Sequence, residues 1–148
     1  MPLAERRAQV TWEGNLTEGK GQLTTGTGVL RDAPISWPAR VERPDGKTSP
    51  EELIAAAHAG CYAMAFANTL AKEGHAPTRL HIAATCTLDR IEGGVKITTM
   101  DLNVTGAVPG LDQAAFADLA EQAEKGCPVS NALRNNVKVN VTAKLEQA

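Results

Sequence analysis

Glycine-punctuated alternating segments open the chain, one long apolar run follows, and alternation then returns around a shorter helical pattern. The segment AQVTW (residues 8–12) alternates and stops at the turn signal EGN. Residues 19–25, then the bend Gly26-Thr27-Gly28 and Val29-Leu30, predict a second strand. Residues 35–41 predict a third, which Pro34 and Pro38 confine to an edge or bulged position. The loop ERPDGKT closes this part of the chain.

A helix start signal comes next. Ser49 is a good N-cap, Pro50 suits the first helical position, and Glu52 stands where a capping box needs it. Glu51 and Glu52 also complement the positive end of the helix dipole. The helix should run to about Lys72, with Gly74 as its stop. Small and apolar residues occupy nearly every face between Leu53 and Ala67, the pattern of a helix buried on all sides. A chain of 148 residues leaves little to surround such a helix, so a partner subunit is expected to supply part of the cover.

Residues 79–89 and 95–105 are rich in β-branched side chains and flank the turn RIEGG, which predicts a hairpin. AVPGLD leads into a helix N-capped by Asp112 that runs through AAFADLAEQAEK to Gly126. After Cys127, Pro128 opens a short helix to about Arg134, and the alternation of Val137, Val139 and Val141 marks a last strand over residues 137–145. The predicted order is β-β-β-α-β-β-α-α-β, an α+β layout with a largely antiparallel sheet in a single domain over residues 1–148. No internal repeat, linker or low-complexity segment interrupts it.

Composition narrows the function. Hydrophobic residues make up 43% and charged residues 22%, as in ordinary globular chains, but aromatics are only 3%, so Ala, Val, Leu and Ile must build the core. A formal charge of -2, with basic residues scattered, gives no footprint for nucleic acid. The apolar run from Leu53 to Ala71 is Ala-rich and broken by His58, Asn68 and Thr69, and reads as a buried helix rather than a membrane span. MPLAERRAQVTW lacks the apolar core of a signal peptide. With three cysteines, that leads us to expect a reducing cytoplasm, where cysteines that matter are catalytic, redox-active or metal-bound.

Two of those cysteines sit in settings of different kinds. Cys61 lies inside the long apolar helix, and Cys127 lies 66 residues later at the start of a short one, in KGCPVS. The spacing excludes a CxxC motif, and no HxxxH pattern supports structural zinc. A nucleophile and a resolving partner is one reading, and buried structural thiols are the other. Cys61 lies about three turns into its helix, beyond the field of the helix end, and burial would raise its pKa. A reactive Cys61 therefore needs a cation from elsewhere, for which Arg40 and Arg43 are the candidates. Cys86 reads as a buried strand residue. His58 shares a helix face with Cys61, but further ligands at motif spacing are missing, so it reads as a hydrogen-bonded helix residue rather than a metal ligand. Trp12 and Trp37 read as packing residues, with Trp37 close enough to Arg40 in sequence to line a pocket.

The stretches TWEGNL…GKGQLTTGTGVL, TSPEELIAAAHAGC, AVPG and GCPVS together resemble the OsmC/Ohr family of peroxide-reducing proteins, most closely its osmotically inducible branch. The resemblance spans nearly the whole chain in the same order. It implies an OsmC-like α+β fold with a long buried central helix in an intertwined, cytoplasmic homodimer. It also implies reduction of organic hydroperoxides by a two-cysteine mechanism, with an external thiol or dithiol reductant and no metal or organic cofactor. By position, Cys61 matches the peroxidatic cysteine, Cys127 the resolving cysteine, Glu51 the catalytic glutamate and Arg40 the branch's arginine.

In that scheme Arg40, held by Glu51, would stabilise the Cys61 thiolate. The sulfenic acid formed on Cys61 would condense with Cys127. Glu51 and Cys61 are ten residues apart, roughly 15 Å along a helix, so one arginine would not reach both in one chain. An antiparallel crossing of two copies near Ala56 would bring the partner subunit's Glu51 level with Cys61, which predicts a site built from both subunits. Two further readings stand beside this one: a non-catalytic binding or stress-associated protein on the same fold, and a metal-binding protein using His58 and thiolates.

Overall fold

Gly21 lies between Trp12 and Ile35 on neighbouring strands, and a Cβ there would meet each of those side chains at 2.8 Å. This close approach explains the glycine inside an otherwise extended segment. The computed structural model describes residues 1–146 and resolves into two compact units, residues 1–53 and those from Ile54 onward.

In the first unit, β1 (Ala8–Glu13), β2 (Lys20–Thr25) and β3 (Ala33–Ile35) form an antiparallel sheet in that order. Pro34 falls on the edge strand, as expected for a residue that cannot donate to a ladder. The third strand is shorter than its alternation predicts. From Ser36 the chain turns into a short helix, α1 (Trp37–Val41), because the Ser36 hydroxyl accepts the Ala39 N–H at 3.2 Å and Pro38 favours a first helical turn. Arg40 therefore sits on a helix, not on the strand expected for it.

The long helix α2 (Pro50–Lys72) begins where its cap predicts, with the Glu52 N–H donating to the Ser49 hydroxyl at 3.1 Å. The capping box is only half made. The Glu52 carboxylate accepts from the Thr48 hydroxyl at 2.8 Å instead of returning to Ser49.

In the second unit, β4 (Arg79–Ile91) and β5 (Gly94–Ala107) form the predicted hairpin, and β6 (Lys138–Leu145) adds to β5. The layout is α+β and largely antiparallel, but it holds two sheets, and β6 runs parallel to β5. The crossover between them carries α3 (Gln113–Gly126) and α4 (Pro128–Leu133). Asp112 caps α3 by accepting the Ala115 N–H at 2.8 Å, and Phe116, Leu119, Ala120 and Ala123 give the helix one buried stripe.

The core joins that stripe to Met100, Leu102 and Val104, which alternate along β5, and to Tyr62, Phe66 and Leu70 of α2. The Phe66 and Phe116 rings pack at a 42° tilt with centroids 5.0 Å apart, and the Tyr62 hydroxyl donates to the Ala120 carbonyl at 2.8 Å.

Burial on α2 recurs every fourth residue, at His58, Tyr62, Phe66 and Leu70. On the other side Ala56, Gly60, Met64 and Asn68 are exposed, Met64 at 72%. Among the described residues, the second unit thus buries one stripe of the helix in its core, not all sides. By length and composition alone α2 could cross a membrane, yet its buried stripe is packed into the protein core.

Candidate active site

Cys61 and Cys127 come together within the second unit, sulfur to sulfur at 3.3 Å. Local chemistry explains both positions. Cys61 precedes the buried Tyr62 on α2 and so sits at the margin of the buried stripe, partly accessible. Cys127 precedes Pro128, whose ring bars helical geometry from the residue before it. Its backbone is accordingly extended (φ -81°, ψ 118°), which ends α3 and starts α4 at the same residue. Its side chain is fully buried, and its thiol donates to the Cys61 sulfur. Closing the remaining gap of about 1.3 Å would reach disulfide bonding distance. Burial pushes the Cys61 thiol above its ordinary pKa and the neighbouring Cys127 adds to the rise, against the Val129 backbone N–H, which lowers it. Within this unit these effects favour the Cys61 thiol over its thiolate at neutral pH.

Arg40 and Glu51 pair within the first unit. The Arg40 Nε donates to the two Glu51 oxygens at 3.0 and 3.2 Å, and Nη2 donates to Oε2 at 2.8 Å. Glu51 is buried, and its hydrogen bonds raise the pKa of Arg40 further, so the guanidinium is a fixed positive charge. It lies over the Trp37 ring, 5.9 Å from the centroid. A cavity of about 100 Å³ opens beside it, lined mainly by Trp12, Leu16, Ile35, Trp37 and Pro50. Trp37 thus lines a pocket with Arg40, and so does Trp12, for which the sequence suggests packing alone. Arg43, the other candidate cation, is exposed and has no carboxylate partner among the described residues.

The four residues read from the sequence therefore form two pairs, one in each unit. Cys86 is half-buried on β4 against the core, as a strand residue. His58 is hydrogen-bonded, as expected, but its partner was not legible: its Nε2 lies 2.6 Å from the Ser130 hydroxyl, and both side chains are fully buried. Burial holds His58 below its usual pKa, against an opposing pull from Glu124, so its ring is neutral at pH 7. Glu124 in turn pairs with Arg134 at 3.0 Å, tying the end of α4 to the end of α3 around Cys127. The sequence did carry a signal for Ser130, which stands three residues after Cys127 just as His58 stands three before Cys61.

An α+β frame whose long helix presents one thiol to a second thiol on a short flanking helix defines a class of dithiol proteins. The chain belongs to one family of that class, the OsmC-like proteins, whose model matches residues 43–142. It is 38% identical to Peroxiredoxin OsmC of Escherichia coli over 94% of this chain and 96% of that protein. It is 31% identical to the Organic hydroperoxide resistance protein of Xanthomonas axonopodis pv. citri, covering 89% and 92% of the two chains. Among solved structures, the organic hydroperoxide resistance protein OhrB of Bacillus subtilis superposes with a TM-score of 0.75 at 31% identity, covering 93% of this chain and 98% of that one. The organic hydroperoxide resistance protein OsmC of Legionella pneumophila superposes with a TM-score of 0.79 at 26% identity, covering 97% and 99%. The family resemblance and the OsmC-like α+β fold with its long central helix are both borne out.

Proposed function

We propose that this protein is a cysteine-based peroxidase that reduces organic hydroperoxides by a two-cysteine cycle. The observation that carries the reading is the 3.3 Å approach of a partly accessible Cys61 to a fully buried Cys127. Relatives named as a peroxiredoxin and as organic hydroperoxide resistance proteins support it at the level of reaction and substrate class.

In the cycle, the Cys61 thiolate attacks the distal peroxide oxygen. The O–O bond breaks, the departing alkoxide takes a proton to leave as the alcohol, and Cys61 becomes a sulfenic acid. The Cys127 thiol then attacks that sulfur. The S–S bond forms, the S–O bond breaks, and the hydroxyl leaves with the thiol proton as water. An external thiol or dithiol reduces the disulfide, its own sulfurs being oxidised in exchange. A reducing cytoplasm suits that last step.

Arg40 is assigned to stabilise the thiolate and the charge on the departing oxygen, with Glu51 holding its guanidinium plane. The pair supports this role because Nε and Nη2 face the carboxylate, which leaves Nη1 uncommitted among the described residues. We further propose a homodimer in which each site draws on both subunits. The uncovered stripe Ala56, Gly60 and Met64 on α2 supports close packing of a second copy. So does the roughly 15 Å of helix between Glu51 and Cys61.

The test is steady-state consumption of alkyl, lipid and hydrogen peroxides with monothiol and dithiol reductants, for wild type and Cys61→Ser. Loss of thiol-dependent consumption in Cys61→Ser is expected. Retention of full activity would rule out Cys61 as the reacting thiol, and a wild type that consumes no peroxide would leave a non-catalytic, merely oxidisable protein as the better account.

A further inference from the structure

His58 is a fully buried titratable side chain with no part in the cycle above. Its Nε2 meets the equally buried Ser130 hydroxyl at 2.6 Å, while its Nδ1 has no hydrogen-bond partner among the described residues. The setting of that bond is specific. His58 lies three residues before Cys61 on α2, and Ser130 lies three residues after Cys127 on α4. Residues three apart share a helix face. The His–Ser hydrogen bond and the Cys–Cys contact are therefore successive rungs between the same two helices.

The second rung matters because α4 is weakly held by its own sequence. It has six residues, too few to be stable alone. Cys127 is its N-cap yet makes no side-chain capping bond, so the sulfur is not fixed by the helix it starts. Arg134 secures the far end of α4 to Glu124, whereas toward α2 the Ser130 hydroxyl supplies a buried side-chain bond that adds to the hydrogen bond of the Val129 N–H to Cys61.

We propose that the His58–Ser130 hydrogen bond is a clasp that holds Cys127 in line for attack on the oxidised Cys61, which makes His58 and Ser130 positioning residues for disulfide formation. This rests on the two-cysteine reading. The clasp acts at the step in which the S–S bond forms, the S–O bond of the sulfenic acid breaks, and water leaves with the Cys127 proton. That step competes with a second hydroperoxide, which oxidises the sulfenic acid to the sulfinic acid and is itself reduced to an alcohol. Positioning decides the competition, because an aligned intramolecular thiol outruns a diffusing oxidant and a misaligned one does not.

The experiment is rapid-mixing kinetics with an alkyl hydroperoxide, read with mass spectrometry of Cys61 after a fixed number of turnovers. Ser130→Ala and His58→Leu remove the hydrogen bond from either side. His58→Gln keeps a side-chain amide that can reach Ser130. Gly106→Ala, away from both thiols, controls for lowered stability. We expect Ser130→Ala and His58→Leu to slow disulfide formation about tenfold, far more than the first oxidation, and to raise sulfinic Cys61 per turnover to match. His58→Gln should recover most of the loss, and Gly106→Ala should behave as wild type in both steps. Wild-type rates of disulfide formation in Ser130→Ala and His58→Leu would overturn the clasp. So would a His58→Gln variant as slow as His58→Leu, since volume rather than the hydrogen bond would then be responsible. Failure of the underlying reading looks different: wild type itself would form no Cys61–Cys127 disulfide.

Discussion

Arg40 grips Glu51 through Nε and Nη2 together, at 3.0 and 2.8 Å, so its guanidinium plane is fixed along with its charge. Two parallel charge-assisted bonds do this, and a lysine ammonium cannot reproduce them. If this charge lowers the Cys61 pKa, Arg40→Met should move the pH profile of Cys61 alkylation upward. Moving the midpoint up by about one pH unit cuts the thiolate fraction at neutral pH about tenfold. Arg40→Lys should fall between the two, and Glu51→Gln should resemble it by loosening the arginine. Iodoacetamide labelling rates between pH 5 and pH 10 give the profile. An unchanged profile in Arg40→Met would remove Arg40 from the mechanism.

Cys127 is assigned the second step, so its loss should separate the two steps. Cys127→Ser should still be oxidised at Cys61 in a single encounter with hydroperoxide. Its steady-state turnover with a dithiol reductant should drop by about tenfold or more, since an external thiol must replace a positioned one. Cys61 should accumulate as sulfinic acid under excess peroxide. Intact-mass spectrometry follows both products, and full turnover by Cys127→Ser would argue for direct reduction of the sulfenic acid.

Burial keeps His58 neutral in the folded protein, with its pKa below the ordinary value of about 6.5. In the pH range between the folded and unfolded values, the unfolded chain binds the proton and the folded one does not. Folding stability from this group is thus complete above about pH 6.5 and is lost as pH falls toward the lower folded value. The opposing group is Glu124 on α3, which favours the charged ring and is itself paired with Arg134. Urea midpoints measured from pH 8 down to pH 5 should fall, and His58→Gln should flatten the part of the fall due to this residue. Identical slopes in the two proteins would contradict the assignment.

What the sequence revealed follows from how local each signal is. The starts of α2 and α3 were readable because Ser49-Pro50 and Asp112 act within one helical turn. The β4–β5 hairpin was readable from its glycine turn and its alternation. Ser36 and Pro38 carried a similar cap signal, but the alternating residues around them read as strand, and a five-residue helix is too short to show a period. The parallel placement of β6 depends on which strand it meets after the α3–α4 crossover, and nothing within residues 138–145 encodes that. The site behaved likewise. Cys61, Cys127, Glu51 and Arg40 were assigned through the family motifs, with spacing giving only candidates. The His58–Ser130 bond joins residues 72 apart and had no local trace beyond the matched spacing to the two cysteines.

Gly106 offers a test of the core that supports the dithiol. A Cβ built there would lie 2.7 Å from the Phe116 ring and 2.9 Å from Leu80, both on the packed side of β5. Phe116 is fully buried and packed against the Phe66 ring, so it has little room to retreat. Gly106→Ala should therefore cost about 1–3 kcal/mol, the usual penalty for overpacking a dense core. For a chain of this size each kcal/mol lowers Tm by about 2–4 °C. Shortening the ring in Gly106→Ala/Phe116→Leu should recover part of the loss, because the two residues are in contact and their effects should not add. Urea and thermal denaturation of the single and double variants measure this. Strict additivity of Gly106→Ala and Phe116→Leu would mean that the ring is not what excludes a side chain at position 106.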